Sequence, residues 1–147
     1  MGYRPNCDDG FIVLRDRRGA RIVADGLTFD AEGAVWITSP VSNRAVRITA
    51  DGERNTIVED ADRGHLEDVE QAYISGRMGR EHLDHAASTR LGNISSLAFG
   101  GPGRQTAFLG SLLADHVLAF PSPVTGAPPP HWRHPLTTLS RIEPIRS

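Results

Sequence analysis

One feature constrains this chain more than any other: a strand–turn–strand unit that occurs twice. Leu27-Thr28-Phe29, the turn Asp30-Ala31-Glu32-Gly33 and Val35-Trp36-Ile37 are echoed later. The echo is Leu97-Ala98-Phe99, the turn Gly100-Gly101-Pro102-Gly103 and Ala107-Phe108-Leu109. Each copy continues into a loop and a third strand, Ala45 to Ile48 and Val117 to Phe120. A turn and a fourth segment follow, Glu53 to Val58 in one copy and Ala127 to Trp132 in the other. The opening runs Phe11–Leu14 and Ala20–Val23, joined by Arg17-Arg18-Gly19, read as the last two strands of an earlier copy. Glycine after Asp or Glu supplies the positive φ that hairpin turns need. No helix separates these strands within a copy, which argues against βαβ units.

Four antiparallel strands per unit, at ~40–50 residues once a helical stretch is removed, is the arithmetic of a propeller blade. The expected fold is therefore all-β, a partial β-propeller of about two and a half four-stranded blades with a short helical insertion. In one domain, residues 11–23 end one blade, 24–60 form a second, 61–92 the insertion, 93–134 the last blade and 135–147 a tail. Within 64–88, Leu66, Val69, Tyr73 and Ile74 share a helical face, with acidic residues early, as the helix dipole favours. Gly76 to Gly79 breaks that helix, and a second short one is expected over Glu81–Ala87, the apolar face packing on a sheet edge. An open arc of blades exposes a sheet face and edges at its ends. The sequence thus predicts either a missing N-terminal half or closure by self-association.

Composition narrows the partners. With 147 residues, 39% of them hydrophobic, the chain can bury a core. A net charge of -2 gives no basic field for nucleic acid or an anionic membrane, so neither is expected as a partner. All 16 positive residues are arginine, scattered rather than clustered as an anion clamp would require. The single Cys7 excludes an internal disulfide or a thiolate metal cage. No run approaches the roughly 20 apolar residues of a membrane span. The polar stretch Met1–Asp9 lacks the apolar segment of a signal peptide, and a cytoplasmic location is expected.

The string from Ala24 to Ile37, ADGLTFDAEGAVWI, resembles the PDG-hydrophobic-x-x-D-x-x-G-x-hydrophobic-W blade signature of the senescence-marker-protein (regucalcin)/gluconolactonase family. Asn43–Ile48 is similar to its following strand, and Ser96–Pro102 to the FGGPD entry of its last blade. The helical insert and the tail Ser122–Pro128, running to His131-Trp132, are similar to a bacterial branch. The resemblance runs from Ile12 to Trp132, with Ala24 in place of the usual proline and Gly103 where aspartate is common. It implies a six-bladed propeller holding a divalent cation, calcium or zinc, at one channel mouth. There the cation would polarise a lactone carbonyl and help generate the attacking hydroxide. The glutamate, asparagine and aspartate ligands so implied have no counterpart here; the aspartate position falls near Pro5 or Asn6.

The candidate channel-lining residues are Asp25, Asn93 and Ser95. Asp25 opens an inner strand and, by repeat logic, stands where a neighbouring blade carries the family's metal-binding asparagine, which makes it a candidate metal ligand. An Asx-turn cap beside Gly26 fits Asp25 too, and turn capping is the favoured reading for all three. Asp30 and Asp51, each close before a glycine, read as structural turn residues. His82 and His85 lie three apart on an expected helix, a spacing read as exposed surface in the absence of a third ligand. His131 and His134 flank Trp132 and are expected to pack on the last blade. Ser39 and Ser111 lack a nucleophile-elbow context, Cys7 has no histidine partner, and Gly100–Gly103 is a turn, not a phosphate loop. The expected function is the C-terminal portion of a metal-dependent, gluconolactonase-like hydrolase acting on a small-molecule lactone, inactive as this chain alone. The alternative is a non-catalytic propeller fragment that serves as a binding or assembly module, or a self-associating half-propeller.

Overall fold

The computed structural model describes residues 12–15, 21–85 and 90–133. They are mostly β. A hairpin pairs β1 (Ile12–Arg15) with β2 (Arg21–Ala24). The first sheet is a meander of β3 (Leu27–Phe29), β4 (Val35–Ser39), β5 (Arg44–Ile48) and β6 (Arg54–Glu59). The excursion holds α1 (Arg63–Ile74) and α2 (Arg80–Leu83). The second sheet is another meander, β7 (Ile94–Gly100), β8 (Thr106–Ser111) and β9 (Leu118–Pro121). No closed barrel forms among the described residues, and none of their helices is long and apolar enough to cross a membrane.

The two meanders use one register. Leu27 faces Ile37 and Phe29 faces Val35 in the first; Leu97 faces Leu109 and Phe99 faces Ala107 in the second. Trp36 and Arg47 pair across β4–β5, where Phe108 and Ala119 pair across β8–β9. Because side chains alternate between faces, Leu97, Phe99, Leu109, Leu118 and Phe120 share one face of the second sheet. That face packs on Trp36 and Ala45 of the first, with Leu91 and Ile94, and forms the main core. Phe99 meets the Trp36 indole edge-on, with centroids 5.1 Å apart, a preferred aromatic geometry.

Three expectations need correction. Ala127–Trp132 is not a fourth strand, so the second sheet has three strands. Pro128, Pro129 and Pro130 have no N–H to donate to a ladder, and the chain instead makes a 3-10 turn over Pro130–Arg133. Before that turn it crosses to the first sheet: Ala31 N donates to Thr125 O, Ala127 N to Phe29 O, and Gly126 bridges Asp30. A side chain at Gly126 would collide with Phe99, so glycine permits the crossing.

The helix corrections concern α2, which spans Arg80–Leu83 and stops at its C-cap Asp84 instead of continuing from Glu81 toward Ala87 (Ala86 and Ala87 lie outside the described residues), and α1. The buried positions of α1 are Val69 and Ala72, with Leu66 half-buried, whereas Ile74 at the last turn is exposed. Val69 and Leu66 pack, with Met78, against Val41 in the β4–β5 turn, not on a sheet edge. The first turn contains no acidic residue; Asp62 is the N-cap, accepting from Gly64 N at 2.8 Å and His65 N at 3.1 Å. The third correction is in the tail, where His131 is exposed and Trp132 stands out in solvent with the Arg104 guanidinium over its ring. His134 and Cys7 lie outside the described residues.

Candidate functional site

The residues singled out as channel-lining sit where the first strands of the two sheets, β3 and β7, begin. Gly26 has no side chain, and a Cβ there would lie 2.5 Å from Ser95 O and 2.8 Å from Ser96 Cα. Backbone therefore touches backbone, which sets Asp25 and Ser95 at adjoining positions. Asp25 is exposed, and its carboxylate makes no hydrogen bond among the described residues. Its backbone N–H donates to Thr38 O at 3.0 Å, and Gly26 N donates to Thr38 Oγ1 at 3.0 Å. Ser95 is half-buried. Asn93 is different. It is buried in a left-handed conformation (φ 61°), and its amide donates to His85 O at 2.9 Å. One carboxylate beside a serine does not make the six to eight oxygen ligands of calcium or the compact N/O/S set of zinc. Among the described residues no three His, Cys, Asp or Glu side chains group as ligands of one metal ion.

Asp30 carries the turn that opens the first sheet. Its Oδ1 accepts from Glu32 N at 2.9 Å and Ala34 N at 3.0 Å; Oδ2 accepts from Trp36 Nε1 at 2.9 Å and Arg47 Nε at 2.7 Å. Arg47 Nη2 reaches on to Glu32 Oε2 at 2.5 Å. Burial pushes the Asp30 carboxyl up, but the hydrogen bonds from Trp36, Arg47 and Ala34 and the Arg47 charge outweigh it and hold the carboxyl below its ordinary range. Four donors on one buried carboxylate make this a satisfied network and not a free acid or base. Asp51 likewise accepts from Thr49 within its own turn. Ser39 is buried and accepts from Ser42 Oγ at 2.7 Å, while Ser111 donates to Leu91 O at 2.6 Å, so both hydroxyls pin loops.

Two residues that sequence reasoning passed over organise the remainder. Asn43, in a left-handed turn (φ 46°), accepts from Ile94 N at 3.1 Å and donates to Asp60 O at 3.2 Å, tying the first sheet to the start of the second. The contact spans 51 residues of sequence, so local pattern gave no sign of it. His65 on α1 is the other. It stacks on His85 with ring centroids 4.6 Å apart, and its Nε2 lies 3.1 Å from His82 O. The three imidazoles line a cleft of about 460 Å³ with Asp62, Asp68 and Glu81. Burial first, then the neighbouring His85, lowers the His65 pKa, keeping that ring neutral where a free imidazole would begin to charge. His82 is spoken for: Gly79 N donates to its Nδ1 at 3.0 Å. The arrangement can exchange a proton at His65 and seat α2 on α1, and the spacing of His82 and His85 alone showed only two of its three rings. No protein-family model, no curated protein and no solved structure matches this chain.

Proposed function

We propose that the two sheets are neighbouring blades of a propeller-type domain resembling the gluconolactonase-like lactone hydrolases. On this reading the chain supplies channel wall and not the catalytic centre. The observation that carries it is the close approach of the two inner strands at Gly26 and Ser95, with the sheet faces stacked through Trp36 and Phe99. Sheets packed face to face with their inner strands side by side are how propeller blades surround a channel. The hydrolase part of the reading rests on the blade-signature resemblance, and the channel-facing group this chain would offer a lactone is the Asp25 carboxylate.

The purified chain is expected to open small aliphatic or sugar-derived lactones no faster than buffer, with calcium or zinc added. Titration calorimetry with either ion is expected to register no binding. Metal-dependent turnover that disappears in Asp25→Asn would reverse the assignment and make this chain catalytic. A second reading, a binding or assembly module without catalysis, is favoured by apolar sheet faces that no described residue covers.

A further inference from the structure

The contact between the two sheets has a polarity. One face of the second sheet, led by inner strand β7, covers the Trp36 face of the first. By register, the opposite face of the second sheet is the equivalent of that Trp36 face: Phe108 stands for Trp36 and Ala119 for Arg47. Nothing covers it. Phe108 is 37% exposed and Val117 66%, and Ala98, Ala119 and Pro121 beside them are exposed too. These five side chains are apolar and carry no charge, with Ser96 the exposed polar side chain beside them, the composition of a surface that can take an apolar partner.

At the other end, the equivalents of Leu97 and Phe99 are Leu27 and Phe29 on β3, exposed by 58% and 49%. On that face β2 runs near β4, and Ile37 and Val46 are buried, so the opening is confined to the inner strand. That is the strand whose counterpart, β7, makes the contact within the chain. The molecule therefore presents both halves of an interface it already makes internally, one at each end of the stack.

We infer that a second copy of this chain docks head to tail, with Leu27 and Phe29 of one copy seated on Phe108, Ala98 and Ala119 of the next. The contact continues the internal sheet stack: Phe29 would meet Phe108 as Phe99 meets Trp36. Such a contact is heterologous, joining different patches, and gives a ring where the rotation per copy closes and a filament where it does not. It names the partner for the assembly reading above. Its test reads oligomeric state and not turnover, so the two can fail separately.

Sedimentation of the whole chain over a concentration series is expected to show a species heavier than the 16.0 kDa of one chain. Phe29→Asp and Phe108→Asp should each run as a monomer with unchanged circular dichroism. Mixed in equal amounts they should associate again, because Phe108→Asp keeps the β3 patch and Phe29→Asp keeps the outer face. Ala98→Arg, at an exposed small side chain, serves in the same mixing test if Phe108→Asp does not fold. A wild-type monomer at every concentration overturns the inference. So does a Phe29→Asp chain that associates like wild type, the mark of a face-to-face dimer through Phe108, or a mixture that stays monomeric.

Discussion

The two sheets share a meander, a register and a turn position, yet they are held by different forces. In the first, Asp30 gathers the Trp36 indole, the Arg47 guanidinium and two turn amides. In the second, the same three places hold Gly100, Phe108 and Ala119, and a Cβ at Gly100 would lie 2.9 Å from the Phe108 ring. The first sheet buries its network under the second, while the second leaves its matching face open. A buried carboxylate is tolerable only with every lone pair engaged. An exposed face has no such need, and Gly, Phe and Ala suffice. Repetition of strand pattern is thus compatible with divergence of what fills the sheet.

The largest test of this contrast is Asp30→Ala. It leaves the buried Trp36 N–H without its acceptor and the half-buried Arg47 with only the exposed Glu32, and should cost about 3–5 kcal/mol in a urea melt. The sign of the pH effect follows from the lowered carboxyl. Asp30 contributes stability above the ordinary carboxylate pKa of about 3.9, and this is lost as pH falls through its lower folded value. The variant should lose that part of the acid sensitivity. A melt matching wild type would mean that the network does not hold the first sheet.

Next in size is a matched pair of glycine substitutions. Gly26→Ala drives a methyl into the Ser95 and Ser96 backbone, which cannot step aside, and should cost about 1–3 kcal/mol. Gly100→Ala meets only the edge of the half-exposed Phe108 ring, which can swing away, and should stay within about 1 kcal/mol. Equal losses at the two positions would contradict the close approach of β3 and β7.

The smallest effect sharpens a second contrast. The β4–β5 turn, Pro40 to Asn43, is buried, with α1 packed on Val41, whereas Leu112, Leu113 and Val117 between β8 and β9 are exposed. His65 on α1 has a lowered pKa, so stability it contributes as a neutral ring is present above the ordinary imidazole value of about 6.5 and lost as pH falls through its folded value. On mild acidification the protection of α1 amides, relative to their intrinsic exchange rate at each pH, should fall while that of β7 and β8 does not. His65 titrating at or above the ordinary value would remove the basis for this.

Much of the strand order was legible because it is local. Alternation and Gly turns located β3 to β9 at Leu27–Phe29, Val35–Ile37 and their repeats, with ends off by as much as three residues, as at the start of β7, and apart from the proline-bearing segment after β9. The Asp30 turn was legible as well, since an Asx turn followed by Gly33 (φ 81°) is written in adjacent residues. The fate of Ala127–Trp132 was in principle readable from its three prolines. The apolar stripe of α1 was misjudged at Ile74 because periodicity gives a face but not where its cover ends.

By itself, then, the sequence determined a repeated antiparallel β architecture, a helical excursion after β6 and a structural Asp30. These depend on backbone preferences and spacing within a few residues. The tertiary structure alone decided that Trp36 is roofed by Phe99 while Phe108 is open, that Asn43 holds Ile94 across 51 residues, and that His65 joins His82 and His85. Each of these depends on which surfaces meet, and that is fixed by the sum of many weak contacts between segments far apart in the chain.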